Sequence, residues 1–260
     1  MSVSPPEVGA ATPAPAEPTV EQAGRLQEAQ VRAMFDRIAG LYDRMNSIMT
    51  AGLHRTWRHR AAELAGAGPG DRVLDVATGT GDLALELAAR VAPGGEVVGI
   101  DFSERMLELA AAKAGAAGRP DVQIRFQAAN ALALPYAAGE FAAATVGFGA
   151  RNFSDLERGL AEMVRVVRPG GRVVVLEITT PRRPPLSTFF ELWFDRVVPV
   201  LGRLAGESQA YSYLPSSVRR FPGPQQLAEV MVRSGLCELR YFLTAGGIVA
   251  LHVGVVRGDA

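Results

Sequence analysis

The sequence has few of the residues from which disulfide-bonded or metal-bound folds are built. Among 260 residues there is one cysteine, Cys237, so an internal disulfide bond is impossible, which fits a reducing compartment. There are three histidines and no HExxH pattern or cysteine–histidine cluster, so we predict no metal site. A chain of this length buries enough apolar surface to fold without such cross-links.

An excess of charge of one sign and long apolar runs are also missing. Lys plus Arg and Asp plus Glu each number 27, and this balance argues against a nucleic-acid binder held by bulk charge. The most lipid-like window, 186–204, contains four charged residues and Pro199, whereas a membrane-spanning helix needs about 20 mostly apolar residues. The amino terminus has neither the basic start nor the apolar core of a signal peptide. We therefore expect a soluble, cytoplasmic protein.

The amino-terminal part of the chain divides into two stretches. Residues 1–20 are rich in Pro, Ala, Glu and Thr and have no aromatic residue, so they predict a disordered tail. In residues 21–65, apolar side chains recur at three- and four-residue steps, which predicts helices with one apolar stripe. Gly40 and Gly52 are expected to interrupt these helices.

From residue 71 onward, short apolar runs alternate with helical stretches within a single expected domain, 21–260. The predicted strands are 72–77, 96–101, 122–130, 141–149 and 172–179. Such alternation predicts an α/β fold, a doubly wound parallel sheet with helices on both faces. Residues 182–221 break the alternation and hold many of the aromatic residues, and we interpret them as a substrate-side insertion. Two closing strands, 237–243 and 247–256, are joined by a short turn and predict a hairpin.

A glycine-rich turn follows the first predicted strand. The spacing Gly79-x-Gly81-x-x-Ala84 satisfies the dinucleotide fingerprint, and Asp101 ends the second strand 22 residues after Gly79, where a carboxylate would bind a ribose. By itself the motif leaves nicotinamide cofactors and S-adenosylmethionine open. Asp75, whose carboxylate could accept hydrogen bonds from the turn or from a ligand ammonium, and the closing hairpin both favour S-adenosylmethionine.

Several separate stretches carry a more specific resemblance. They are YDRMNSIMTAGLHRTW (42–57), FGARN (148–152), RVVRPGGRVVVLE (165–177), FPG (221–223) and LHVG (251–254). With these stretches, roughly residues 31–256 resemble the class I S-adenosylmethionine-dependent methyltransferases, and more closely the ubiquinone/menaquinone biosynthesis C-methyltransferases. One departure is Ala77, which stands where the usual methyltransferase turn has its first glycine.

The resemblance implies a fold and a cofactor site. The expected fold is a Rossmann-like, mostly parallel sheet of seven strands whose last strand is antiparallel. The expected cofactor is S-adenosylmethionine, with Thr80 and Asp101 in contact with it and Asn130 and Ala131 flanking the adenine.

The resemblance also implies a reaction, the transfer of a methyl group to a ring carbon of a prenylated quinol. The stretch Val-Gly-Phe-Gly at 146–149 and the short chain favour demethylmenaquinol as the acceptor, in menaquinone biosynthesis. The alternatives are C-methylation of a benzoquinol in the ubiquinone branch and, from another class, an oxidoreductase with a nucleotide cofactor. The expected partner is the quinol and not nucleic acid. Peripheral contact at the inner face of the membrane and homo-oligomerisation stay open.

Five residues are candidates for the catalytic site. Arg151 follows the fourth strand at the carboxyl edge of the sheet, where its guanidinium could hold a phenolate or a water. Tyr42, Asp43 and Asn46 belong to a helical region that could close over the site as a lid. His252 has the intrinsic pKa of a general base, as does His54, and the identity of the base stays open between a side chain and water.

Overall fold

A computed structural model of the protein describes residues 20–181, 184–198, 200 and 208–258. The predicted tail, apart from Val20, and part of the 182–221 insertion therefore lie outside the described residues. The helices are α1 Val20–Met49, α2 Leu53–Ala65, α3 Asp82–Val91, α4 Glu104–Ala117, α5 Leu156–Val166, α6 Leu186–Leu192, α7 Ser208–Arg220 and α8 Pro224–Arg233. The strands are β1 Arg72–Val76, β2 Glu96–Asp101, β3 Gln123–Ala128, β4 Phe141–Gly147, β5 Val167–Ile178, β6 Leu236–Thr244 and β7 Val249–Val256.

The strands form one seven-stranded sheet in the order β3-β2-β1-β4-β5-β7-β6. Neighbouring strands from β3 to β5 are parallel, and β7 runs antiparallel to both β5 and β6. The predicted sheet, its antiparallel last strand and the closing hairpin are confirmed. The strand order reverses between β1 and β4, and the crevice at the carboxyl ends of these two strands is where such sheets bind ligands.

The side chains of each central strand alternate between two apolar layers. Leu74 of β1 points into the layer covered by α5 and α8, whereas its neighbour Val73 points into the layer covered by α2 and α3. Both side chains are fully buried. A sheet covered by helices on both faces needs apolar residues at nearly every strand position, which is the pattern that identified these strands in the sequence.

The amino-terminal helices differ from the prediction at one glycine. α1 runs without a break through Gly40, so the expected interruption there is wrong. Gly40 is exposed, and its cost to a helix, about 1 kcal/mol, is small beside the packing of the neighbouring Ile38 and Ala39 in a buried cluster. The interruption at Gly52 is confirmed, since its φ of 78° ends the helical path before α2 begins.

The start of β5 also differs from the prediction. α5 ends at Val166 and β5 begins at the next residue, so Pro169 and the two following glycines lie inside the strand rather than before it. The pairing of β5 with β4 shifts register here, because Phe141 pairs with Val167 while Ala143 pairs with Arg172. The extra residues form a bulge, which absorbs the proline and glycines without ending the strand. Across the described chain, no helix has both the length and the apolar character needed to cross a bilayer.

Candidate active site

The glycine turn lies between β1 and α3, at the point where the strand order reverses. Both glycines have positive φ, 56° at Gly79 and 81° at Gly81. A Cβ built on Gly79 would meet no atom within 4 Å, whereas one on Gly81 would lie 3.0 Å from the Cβ of Ala110 and 3.1 Å from the ring of Phe126. Gly79 therefore leaves an open approach to its backbone, and Gly81 allows close packing of the turn against the sheet.

Asp101 closes one side of this turn from the end of β2. Its Oδ2 accepts a hydrogen bond from the backbone N–H of Gly79 at 2.9 Å, and its Oδ1 accepts one from the N–H of Ser103 at 2.9 Å. Burial raises the pKa of Asp101, and these backbone donors oppose the rise. A carboxylate has about four acceptor positions, so these donors leave acceptor capacity for a hydroxyl of a ligand.

Asp75 lies inside β1 and is almost fully buried beneath the turn. The hydroxyls of Thr78 and Thr145 donate to its two oxygens at 2.7 Å and 2.6 Å. Burial raises its pKa to about 6, although the two hydroxyls favour the charged form. The predicted contact of Asp75 with the turn is confirmed through Thr78, and the carboxylate holds β4 and the turn together.

Helix α1 lies over the turn and contacts it through polar side chains. The hydroxyl of Thr80 donates to Oδ1 of Asp43 at 2.6 Å, and the ammonium of Lys113 donates to Oδ2 of Asp43 at 2.8 Å. About two turns earlier in α1, Asp36 accepts a hydrogen bond from the Ser103 hydroxyl at 2.6 Å. The two aspartates thus connect α1 to both sides of the turn.

Asn130 and Ala131 follow β3 at the same edge of the sheet. Asn130 is exposed, and its Oδ1 accepts a hydrogen bond from the N–H of Leu132 at 2.8 Å. The backbone of Asp101 anchors this segment, because its carbonyl accepts a hydrogen bond from the N–H of Ala129 at 3.1 Å. The seven residues predicted to bind a cofactor therefore lie at the carboxyl ends of β1, β2 and β3 or in the turns that follow them.

Beside the turn lies a cavity of about 370 Å³. It is enclosed by α1, the start of α2, the end of β5, α6 and α7, and most of its lining is apolar. Tyr42, Asn46 and Arg151, three of the five predicted catalytic residues, reach it, as do His54 and Arg58. The structure thus combines a large apolar volume with a few polar groups, the usual composition of a small-molecule site.

Arg151 occupies a short 3₁₀ turn, Ala150–Asn152, immediately after β4. Its side chain is 8% exposed and pairs with Glu177, whose Oε1 lies 2.7 Å from Nη1. The same nitrogen donates to the carbonyl of Phe148. The buried Nε has no hydrogen-bond partner among the described residues.

A second group of charges lies where α2 meets α3. Arg58 donates to Nδ1 of His54 and pairs with Asp82 at 3.3 Å, and Lys113 donates to Asp82 at 2.5 Å. Burial and the neighbouring Arg58 lower the pKa of His54, which keeps this imidazole neutral as an acceptor. Burial would raise the pKa of Asp82, but Arg58 and Lys113 more than offset it and lower that pKa.

His252 does not reach the cavity, so we correct its predicted role as a base. It lies on β7, on the sheet face opposite Val249, which does line the cavity. Its Nε2 is 2.8 Å from the carbonyl oxygen of Pro224, and its ring stacks on Tyr241. Burial lowers its pKa to about 4. A neutral histidine held in the core by a backbone carbonyl has a structural role.

Two residues of the site were missed in the sequence. Lys113 lies on α4 within an alanine-rich stretch, and no local pattern distinguishes it from a solvated surface lysine. Glu177 did carry a signal, because it is a carboxylate within the apolar run of β5, and a buried charge requires a partner. The partner, Arg151, is 26 residues away and cannot be identified from spacing alone.

Comparison with known proteins agrees with this geometry. The model of the ubiE/COQ5 methyltransferase family matches residues 23–256. A demethylmenaquinone methyltransferase from Thermus thermophilus is 47% identical over 222 residues, which is 85% of this chain and 99% of the relative. A ubiquinone/menaquinone biosynthesis C-methyltransferase UbiE from Geotalea uraniireducens is 40% identical over 86% of this chain and 95% of its own.

Among solved structures, a SAM-dependent methyltransferase from Thermotoga maritima, described as a possible histamine N-methyltransferase, has the same fold. Its TM-score is 0.59 at 19% sequence identity, over 86% of this chain and 98% of that one. The structural likeness establishes the Rossmann-like fold, and the sequence matches also identify the family. With its glycine turn, its acidic strand end and a family match over nearly the whole described chain, the protein belongs to the ubiE/COQ5 methyltransferase family.

Proposed function

We propose that the protein transfers a methyl group from S-adenosylmethionine to a ring carbon of a prenylated quinol, converting demethylmenaquinol to menaquinol. The observation that carries the proposal is the position of two consecutive residues of α1. Tyr42 lines the apolar cavity, while Asp43 accepts a hydrogen bond from Thr80 of the glycine turn. A cofactor in the turn and an acceptor in the cavity would therefore be neighbours beneath one helix.

The residues around the turn fit S-adenosylmethionine. The open space above Gly79 admits a ligand to the backbone, and Asp101 retains acceptor positions for ribose hydroxyls. The amino terminus of α3 adds free N–H groups for the negative end of an amino acid moiety. We expect Asn130 and Ala131, on the loop after β3, to flank the adenine. When bound, the cofactor supplies an electrophilic methyl group.

The cavity residues act on the acceptor. Arg151 lines the cavity and offers a positive charge to a quinol oxygen, which favours the phenolate and so raises electron density at the adjacent ring carbon. Tyr42 and Asn46 can donate hydrogen bonds to the ring substituents. The reaction replaces a ring hydrogen with a methyl group and releases one proton. The apolar walls exclude water. Holding the methyl donor and the quinol in a fixed relative orientation accounts for much of the rate enhancement.

The domain arrangement is part of the proposal. We assign residues 21–65 as a lid, supported by the contacts of α1 with the turn and by the cavity lining from α1 and α2. We assign residues 182–221 as the substrate-side insertion, supported by the presence of Phe190, Trp193 and Tyr213 in the cavity wall. Their aromatic rings offer a surface for a prenyl chain.

Mass spectrometry tests the proposed reaction. Purified protein is incubated with S-adenosylmethionine carrying a CD₃ group and with either demethylmenaquinol or a prenylated benzoquinol that lacks the same methyl. We expect the CD₃ group in menaquinol, with slower labelling of the benzoquinol. Preferred labelling of the benzoquinol would assign the protein to the ubiquinone branch. Oxidation of NADH with no label transfer would instead support the oxidoreductase alternative.

Peripheral membrane contact is a further part of the proposal. Three apolar side chains of the cavity lining are exposed, Ile48 by 62%, Leu53 by 49% and Phe189 by 53%, so they mark the cavity mouth. A prenylated quinol resides in the bilayer, and contact of this mouth with the inner face of the membrane would let it enter without crossing water. Co-sedimentation with lipid vesicles should fall when Ile48 and Phe189 are replaced by Ser. Homo-oligomerisation stays a prediction, which light scattering of the purified protein measures.

A further inference from the structure

The unpaired nitrogen of Arg151 raises the question of what fixes this side chain. An arginine on a short loop has many rotamers, and holding one of them has an entropic cost of up to about 2 kcal/mol. Arg151 is nevertheless 8% exposed and keeps its Nε buried without a partner among the described residues. The contacts of its other nitrogens must therefore hold the side chain in place.

Glu177 is the group that holds Arg151. It is the penultimate residue of β5 and is 1% exposed. Its Oε1 lies 2.7 Å from Nη1 of Arg151, and its Oε2 accepts the backbone N–H of Arg151 at 3.2 Å. The N–H of Ile178 donates to Oε1 at 2.8 Å. One carboxylate thus binds both the side chain and the main chain of Arg151, and it is itself fixed by the strand.

The neighbouring contacts occupy one nitrogen of the Arg151 guanidinium and leave part of the residue open to the cavity. The carbonyl of Phe148 accepts a second hydrogen bond from Nη1, so this nitrogen is fully used. Asn152, next in the chain, is engaged by the hydroxyl of Tyr213 at 3.1 Å. Arg151 itself lines the cavity, so the part of this residue that these contacts leave uncovered lies next to an acceptor molecule bound there.

We infer that Glu177 is a positioning residue for methyl transfer. It orients the Arg151 guanidinium so that its positive charge faces the acceptor oxygen in the cavity. Glu177 does not itself line the cavity. Because Glu177 acts through Arg151, the effect of removing it must depend on Arg151. The inference rests on the proposed methyl transfer. It assigns to Glu177 a catalytic purpose, the orientation of Arg151, which a buried ion pair does not have by itself.

A double-mutant cycle tests this dependence. The proteins are wild type, Glu177→Gln, Arg151→Lys and the double variant, each assayed for kcat, for KM of the quinol and for calorimetric affinity for S-adenosylmethionine. We expect Glu177→Gln to lower kcat about tenfold or more, with KM and cofactor affinity within about threefold of wild type. Added to Arg151→Lys, the same change should alter kcat less than about twofold, since lysine lacks the fork that Glu177 orients.

Control variants separate positioning from stability. Glu96→Gln breaks an ion pair with Arg72 of 2.7 Å at the amino end of the sheet, and it should lower the melting temperature without lowering kcat. If Glu177→Gln does not fold, Glu177→Asp replaces it in the cycle. This variant keeps the charge but withdraws the carboxylate from Arg151 by one methylene. A kcat within about twofold of wild type in the folded Glu177 variant, or effects that add in the cycle, would overturn the inference. A wild-type protein with no methyl transfer would refute the proposed function instead.

Discussion

His252 makes a sharp prediction about stability, because the structure removes it from catalysis and places it in the core. Its Nε2 faces the Pro224 carbonyl, which only accepts, so Nε2 carries the hydrogen and the ring is neutral. Nδ1 is buried without a partner among the described residues, and protonation would add a buried charge there. Burial accordingly lowers the pKa of His252 from 6.5 to about 4.

The sign and size of the effect follow from proton linkage. Above pH 6.5 the histidine is neutral in both the folded and the unfolded chain, so it contributes no pH dependence. As the pH falls from 6.5 toward 4, His252 binds a proton in the unfolded chain but not in the folded chain. The free energy of unfolding therefore decreases. At about 1.4 kcal/mol per unit, the loss is ~2 kcal/mol by pH 5 and ~3 kcal/mol by pH 4.

The variant His252→Gln isolates this contribution. The Gln amide can still donate to the Pro224 carbonyl, but it does not titrate. Urea unfolding of both proteins at pH 7, 6 and 5 measures the free energies of unfolding. We expect the stability of wild type relative to the variant to fall by ~2 kcal/mol over this range. Parallel pH curves, or a kcat of the variant more than about tenfold below wild type, would refute the structural role.

Three further predictions concern the glycine turn and its two carboxylates. Gly79→Ala should cost ~1–2 kcal/mol of stability from its positive φ yet strongly weaken cofactor binding. Gly81→Ala should cost ~2–5 kcal/mol, because its Cβ would also press on Ala110 of α4 and Phe126 of β3 at 3.0 Å and 3.1 Å; urea unfolding and calorimetry separate the two. Asp101→Asn should weaken calorimetric affinity for S-adenosylmethionine by ~10- to 150-fold, and unchanged affinity would exclude its predicted ribose contact. Burial raises the pKa of Asp75 from 3.8 to about 6, so ionisation destabilises the fold as pH rises. Relative to Asp75→Asn, wild type should lose ~2 kcal/mol between pH 4 and 7, and an absence of this difference in urea unfolding would contradict the burial argument.

Much of the fold could be predicted from the sequence because local and global preferences agree along the sheet. The runs at β1 and β2 are apolar and β-branched, and glycines or helix caps bound them, as at Ser103, whose hydroxyl accepts the N–H of Met106. The failures came where packing outweighs a local signal. Gly40 remains helical because its neighbours are buried, and the glycines before Arg172 form a bulge because β4 continues to pair with β5.

The candidate site was predictable to the extent that it depends on one turn. Gly79, Thr80 and Asp101 lie next to one another because the carboxyl ends of parallel strands meet at one edge. His252 was wrongly assigned because residue type says nothing about which face of β7 a side chain occupies. Glu177 was missed because its role depends on a contact with Arg151, which lies 26 residues away in the turn after β4.

The central claim is that the turn at Gly79 holds the cofactor beside a cavity that holds the quinol. A crystal structure of the protein with S-adenosylhomocysteine, the product of methyl donation, tests it most directly. We expect the ribose hydroxyls to bind the Asp101 carboxylate and the sulfur to face the cavity lined by Tyr42 and Arg151. A ligand bound away from Asp101, or a sulfur separated from that cavity by packed side chains, would contradict it.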